Sequence, residues 1–114
     1  MPHFPQYQNA LLVEGAKFTS VTGTTHSAVA GEVVLFSGTA AAVVTLPAVG
    51  QGGPVVVKNL SGGTTATIQV VTYEGSASHI DNIAGTTGVA VSQTQYDSAT
   101  FTSDGSNWWR VFSL

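Results

Sequence analysis

Cysteine is missing from this chain and charge is scarce. Without cysteine there is no disulfide framework and no thiolate metal centre, so the fold must stand on its packed core. Charged residues make up 8% of the 114 positions, against about 25% in an ordinary soluble domain, and the cations are Lys17, Lys58 and Arg110. With no basic cluster and a net charge of −3, nucleic acid is not expected as a direct partner, because phosphate binding depends on clustered Lys and Arg. No apolar stretch is long enough for a bilayer, and the amino terminus has no charged segment leading into an apolar run. Neither a membrane helix nor a secretion signal is therefore expected.

Thr, Ser, Gly, Gln and Asn carry most of the polarity instead. Such a surface gives copies of the chain little reason to repel one another and leaves few cations to blunt sheet edges. Coverage of those edges by other subunits is the expectation, and a monomer solvated by hydroxyl groups is the alternative.

A chain of this length forms one domain with room for a real core. Residues 1–16 differ from the rest. Pro2 and Pro5 block helix entry, while Phe4, Tyr7, Leu11, Leu12 and Val13 supply more apolar surface than a free tail needs. This segment reads as a docking arm, with an irregular first strand as the alternative. From Lys17 onward, short apolar runs are separated by turn residues, the pattern of an all-β sandwich or barrel. Strands are expected over 17–22, 32–37, 42–46, 55–59, 66–72, 78–83, 88–91, 98–103 and 107–112. Between them lie Gly-rich and Thr-rich stretches such as Gly50-Gln51-Gly52-Gly53-Pro54. Val33-Val34-Leu35-Phe36 and Val55-Val56-Val57 are continuously apolar, so they are expected to be central strands covered on both faces.

The clearest local signal is the closing hairpin, Thr100-Phe101-Thr102, then Asp104-Gly105, then a return through Trp108 and Trp109. A two-residue turn at Asp104-Gly105 sets Phe101 opposite Trp108 and Thr100 opposite Trp109. A three-residue loop would set Phe101 opposite Trp109 and move Trp108 to the other face.

Residues that could carry chemistry are dispersed. His79 and Asp81 share one face of an expected strand but lack a third ligand nearby, and His3 and His26 could join only through the fold. The carboxylates Glu14, Glu32, Glu74, Asp81, Asp97 and Asp104 form no local acid and base pair. None of the glycine clusters leads into Lys-Ser or Lys-Thr, so no phosphate loop is present. Asn59-Leu60-Ser61 fits a glycosylation acceptor formally, but reads more simply as a strand end entering a turn. Trp108, Trp109, Tyr73 and Tyr96 could form a sugar-stacking platform, with core packing and subunit contact as the alternatives. These readings point away from an enzyme and imply no cofactor or metal.

Taken in order, Val44-Thr45-Leu46-Pro47-Ala48, Gly50-Gln51-Gly52-Gly53, Val55-Val56-Val57-Lys58-Asn59, His79-Ile80-Asp81-Asn82 and Ser103-Asp104-Gly105-Ser106-Asn107-Trp108 resemble a small β-sandwich module recurrent in tailed-bacteriophage virion proteins. The resemblance covers about 43–112 and departs at Asn82, where that module more often has Gly. It implies an antiparallel, jelly-roll-like β-sandwich over 17–114, carried as a homotrimer, to which the extended arm read over 1–16 is unrelated. It further implies a structural role in the virion. The leading expectation is a capsid decoration, or cement, protein seated on the outer shell, whose partner is the major capsid protein. Phe4, Tyr7, Leu11, Leu12 and Val13 would then reach across subunit boundaries, and Trp108, Trp109 and Arg110 would form the trimer or ligand surface. The alternative is a tail fibre or spike tip binding a host receptor or glycan.

Overall fold

Alternation between buried and half-exposed side chains, the period of a pleated strand, runs through most of this chain. A computed structural model describes residues 17–60, 66–82, 88–92 and 96–113. The expected arm over 1–16, with Phe4, Tyr7, Leu11, Leu12 and Val13, lies outside the described residues. The strands are β1 (Lys17–Val21), β2 (Thr25–Ser27), β3 (Glu32–Phe36), β4 (Ala42–Thr45), β5 (Val55–Asn59), β6 (Ile68–Val71), β7 (Gly88–Ser92), β8 (Ser98–Ser103) and β9 (Trp108–Ser113).

They form a five-stranded sheet, in the order β1-β3-β5-β8-β9, and a four-stranded sheet, in the order β2-β4-β6-β7. From β1 to β6 the chain changes sheet at every turn, so each second strand returns beside its predecessor and runs parallel to it. Parallel neighbours need a crossover. Here the crossover is a strand of the other sheet instead of a helix. The last third of the chain turns back, and β5–β8, β6–β7 and β8–β9 are antiparallel.

The all-β expectation holds. The antiparallel, jelly-roll-like order does not, because four of the strand pairs are parallel. A short valine-rich run has the same burial period whichever way its neighbour points, so direction is set by where the connections lead. The strand expected over 78–83 is also replaced. Residues 75–77 form a short 3-10 turn, Ile80 makes a single parallel bridge to Trp108, and Asp81 and Asn82 turn in the left-handed region. The three-residue strand β2 falls partly in a stretch that the sequence marks as a turn.

Both sheets contribute to one core. Val34, Phe36, Val55, Val57, Phe101 and Trp108 come from the larger sheet, and Val44, Ile68 and Val70 from the smaller one. Leu46 and Ile80 join the same cluster. The expected central position of β3 and β5 is observed, but their outer faces are not covered: Val33, Leu35 and Val56 are only half-buried. Gly53 lies against this core. A side chain there would meet the Phe101 carbonyl at 3.1 Å and the Trp108 ring at 3.2 Å, so the residue must be small.

Candidate functional site

Asp81, Asp104, Trp109 and Arg110, all singled out in the sequence, hold the closing hairpin. The loop between β8 and β9 is wider than expected. Ser103 pairs with Trp108, Thr102 with Trp109 and Phe101 with Arg110, leaving 104–107 as a four-residue connection. Neither register considered from sequence is therefore the one formed. The cause is the Asp104 side chain. Its Oδ1 accepts the amides of Ser106 at 2.9 Å and Asn107 at 2.8 Å, and its Oδ2 accepts the Trp109 indole N–H at 2.9 Å. An Asx-type turn thus replaces the two-residue reversal. The Asn107 amide, the Trp109 indole and the Ser106 amide together hold the Asp104 carboxyl down at about 2.

This register settles the two tryptophans. Trp108 shares the inner face with Phe101 and has 0% exposure, whereas Trp109 lies opposite Thr102 on the outer face and is half-buried. Trp108 therefore belongs to the core, not to a ligand surface. The aromatic platform that the sequence allowed loses Trp108 to the core, as the core-packing alternative has it. Tyr73 and Tyr96 are exposed in different surroundings, Tyr96 beside the Lys58 ammonium 5.9 Å from its ring centre.

Segment 79–81 closes the far edge of the larger sheet beside β9. His79 accepts the Trp108 amide on its carbonyl at 2.8 Å, and Asp81 donates its amide to the Trp108 carbonyl at 2.8 Å. The Asn107 side-chain oxygen accepts the His79 amide at 2.9 Å. Asp81 then turns its carboxylate onto β9, where it accepts the Arg110 amide at 2.9 Å and the Arg110 Nε at 2.7 Å. Asn82 has φ of 56°, a conformation glycine adopts at no steric cost and asparagine tolerates. The departure from the more usual glycine at this position thus falls on a residue type that fits the turn.

The remaining candidates are placed individually. His26 on β2 lies 3.0 Å from the buried Glu32 on β3, whose other oxygen accepts the Val29 amide at 2.9 Å. Burial alone would raise the Glu32 carboxyl, but the nearby Thr19 hydroxyl, the hydrogen bond from the Val29 amide and the contact with His26 outweigh it and hold the group below its ordinary value. Glu74 accepts the Val49 amide at 2.7 Å and the Ser78 hydroxyl at 3.1 Å. His79 and Asp81 do not form a metal pair with a third ligand: among the described residues no three His, Cys, Asp or Glu side chains converge.

Outer faces of the two sheets differ in chemistry. On the larger sheet the register aligns Phe18, Val33, Val56 and Thr100 in one row, and Ser20, Leu35, Lys58 and Ser98 in the next row on the same side, with Trp109 beyond them. Phe18 is 58% exposed. On the smaller sheet, Ser27 aligns with Thr45 and Val71, and Thr25 with Val43 and Gln69, giving a face on which hydroxyl and amide groups alternate with valines. Sequence reading did not separate these faces, because the partners of β1 and β2 follow only from the crossover order. Compared with family models and with curated protein sequences, the chain matches none.

Proposed function

We propose that this chain is a structural protein of a bacteriophage virion, a homotrimeric capsid decoration protein bound to the major capsid protein on the outer shell. The observation that carries this reading is the apolar row Phe18, Val33 and Val56 on the outer face of the larger sheet, in a chain with only three cations to keep copies apart, of which Lys58 alone lies in the neighbouring row of that face. A face of that kind suits burial against protein. The strand β1, which among the described residues pairs only with β3, continues it. The resemblance of the ordered motifs from Val44 to Trp108 supplies the virion context, while the mixed strand order departs from the antiparallel, jelly-roll-like sandwich that this module implied.

Its action would be linkage, not catalysis. A protein that binds only the assembled lattice stabilises that lattice by RT ln(1 + [L]/Kd) at each site, and many sites multiply a small effect. Segment 1–16, with Phe4, Tyr7, Leu11, Leu12 and Val13, would bridge to neighbouring subunits.

Quantitative mass spectrometry of purified virions tests the reading. A copy number comparable to that of the major capsid protein supports shell decoration, a small fraction of it moves the protein to the tail, and absence overturns the virion role. Deleting 1–16 should leave a folded protein that no longer binds capsids. The fibre-tip alternative loses one expected contact, since Trp108 is buried and only Trp109 reaches the surface.

A further inference from the structure

We infer that a groove at the end of the smaller sheet, beside Tyr73, binds a neutral pyranose. Its floor is the outer-face pair Ser27 and Thr45, one wall is Val29, and the other is Pro47, Gln51 and Tyr73. The space is about 290 Å³, at the small end of the roughly 300–1,000 Å³ of ligand pockets, which suits a single sugar ring. None of its lining residues carries a charge, so an ionic ligand would find no counter-charge.

Chemistry of the lining selects the class. Tyr73 is 68% exposed and offers an aromatic ring to the C–H face of a sugar, with Val29 exposed across the groove. Ser27 and Thr45 present hydroxyls and Gln51 an amide, which can both donate to and accept from sugar hydroxyls. A purely apolar ligand would leave these groups without partners.

Both walls are fixed in place. The loop carrying Pro47 and Gln51 is tied to the Tyr73 turn by the Val49 amide, which donates to Glu74 at 2.7 Å. It is tied to β8 by the Ser103 hydroxyl, which donates to the Val49 carbonyl at 2.6 Å. The Thr72 hydroxyl donates to the Gly75 carbonyl at 3.0 Å, closing the turn around Tyr73. Across the groove, the Val29 amide is held by Glu32. A ligand therefore meets a framework already ordered, which lowers the entropic cost of weak binding. This inference stands apart from the virion reading and does not depend on the position of the protein on a particle.

Heteronuclear NMR of the full chain with methyl glycosides of glucose, galactose, mannose and N-acetylglucosamine, and with a methyl sialoside as the charged comparison, tests it. At least one should shift the Gln51 side-chain amide and the Tyr73 ring. Tyr73→Ala should weaken that binding about tenfold, Tyr73→Phe should nearly preserve it, and Trp109→Ala should leave it unchanged. Tyr73 is exposed, so its variants should fold as the parent does. The inference fails if no glycoside perturbs the groove, if binding survives Tyr73→Ala, or if a sialoside binds in preference to the neutral sugars.

Discussion

The Asp81 carboxylate grips Arg110 twice, accepting its main-chain amide on Oδ1 at 2.9 Å and its Nε on Oδ2 at 2.7 Å. The two contacts are unequal in consequence. Both side chains keep partial access to water, so the charge pairing contributes little, while the amide loses its partner whenever the carboxylate goes. Asp81→Ala should cost about 0.5–1.5 kcal/mol, because water can reach the exposed amide, and Arg110→Ala less than that, with Asp81→Asn between them because it keeps one acceptor. Urea unfolding of the three variants measures this, and equal losses for Asp81→Ala and Arg110→Ala would refute the amide contact as the larger part.

Asn82 follows directly in the left-handed region, with φ of 56°. Asn82→Gly should be neutral or stabilising by up to about 1 kcal/mol, and Asn82→Val should destabilise by about 1–3 kcal/mol through strain at Cβ. Melting curves compared at one protein concentration would show the two variants moving apart. If both leave the midpoint unchanged, the turn is not held in this conformation in solution.

Trp108 and Trp109 are neighbours with opposite duties. Trp108 is fully buried against Gly53 and Phe101, so Trp108→Ala should cost about 3–5 kcal/mol, enough to unfold a marginal domain, and Trp108→Phe should cost less. Trp109→Ala should cost under about 1.5 kcal/mol, the loss of its bond to Asp104. Fluorescence gives a second measurement on proteins that remain folded: acrylamide should quench Trp108→Phe, which keeps Trp109, more strongly than Trp109→Phe. The reverse order would mean that the hairpin register is shifted by one.

How much of this was legible beforehand differs from element to element. The bounds of β1, β3, β5 and β8 were readable to within a residue, because Val, Phe and Thr runs end at Gly, Ser or Pro. Strand direction was not readable, since Val33 to Phe36 beside Val55 to Asn59 would bury the same side chains in either orientation. The three residues of β2 carry no apolar alternation and are strand only because β4 lies beside them. At 78–82, alternation suggested a strand, but Asp81 and Asn82 bend away after one bridge. The hairpin misled for a related reason: Asp104-Gly105 signals a tight turn unless the Asp side chain captures the amides that follow, and Ser106 and Asn107 allowed it to do so. Of the candidate site residues, Arg110 was flagged without its partner, and Tyr73 was grouped with tryptophans it does not meet.

Asp104 provides a pH test of that capture. Its carboxyl titrates at about 2 in the folded chain, below the usual value near 4, because it accepts hydrogen bonds when ionised. A depressed folded value means that the contribution to stability is present above about pH 4 and is lost as pH falls towards 2. Following the Asp104 carboxyl carbon and the Trp109 indole proton by NMR from pH 5 to pH 1.5 should show both moving together with a midpoint near 2. A midpoint near 4, or an indole proton that ignores the titration, would show that Asp104 does not hold the loop.

The outer face of the larger sheet decides whether copies of this chain associate. Phe18 is 58% exposed in register with Val33 and Val56, and Val111 on β9 is 47% exposed. Burying a phenylalanine side chain contributes roughly 1.5–3 kcal/mol, so replacing it with serine should weaken a contact through this face by about ten- to a hundredfold. Phe18 points away from the core, so Phe18→Ser should leave the unfolding free energy of the isolated chain, measured in urea, within about 0.5 kcal/mol of the parent. Sedimentation velocity across a concentration series should then show the parent associating at concentrations where Phe18→Ser stays monomeric. If the parent sediments as a monomer throughout, self-association through this face is excluded, and its apolar row must be matched by a different protein. If both chains associate alike, the contact lies elsewhere, with the edge of β1, which no other described strand pairs, the next place to probe by Ser20→Lys, which would set a charge beside any strand added there.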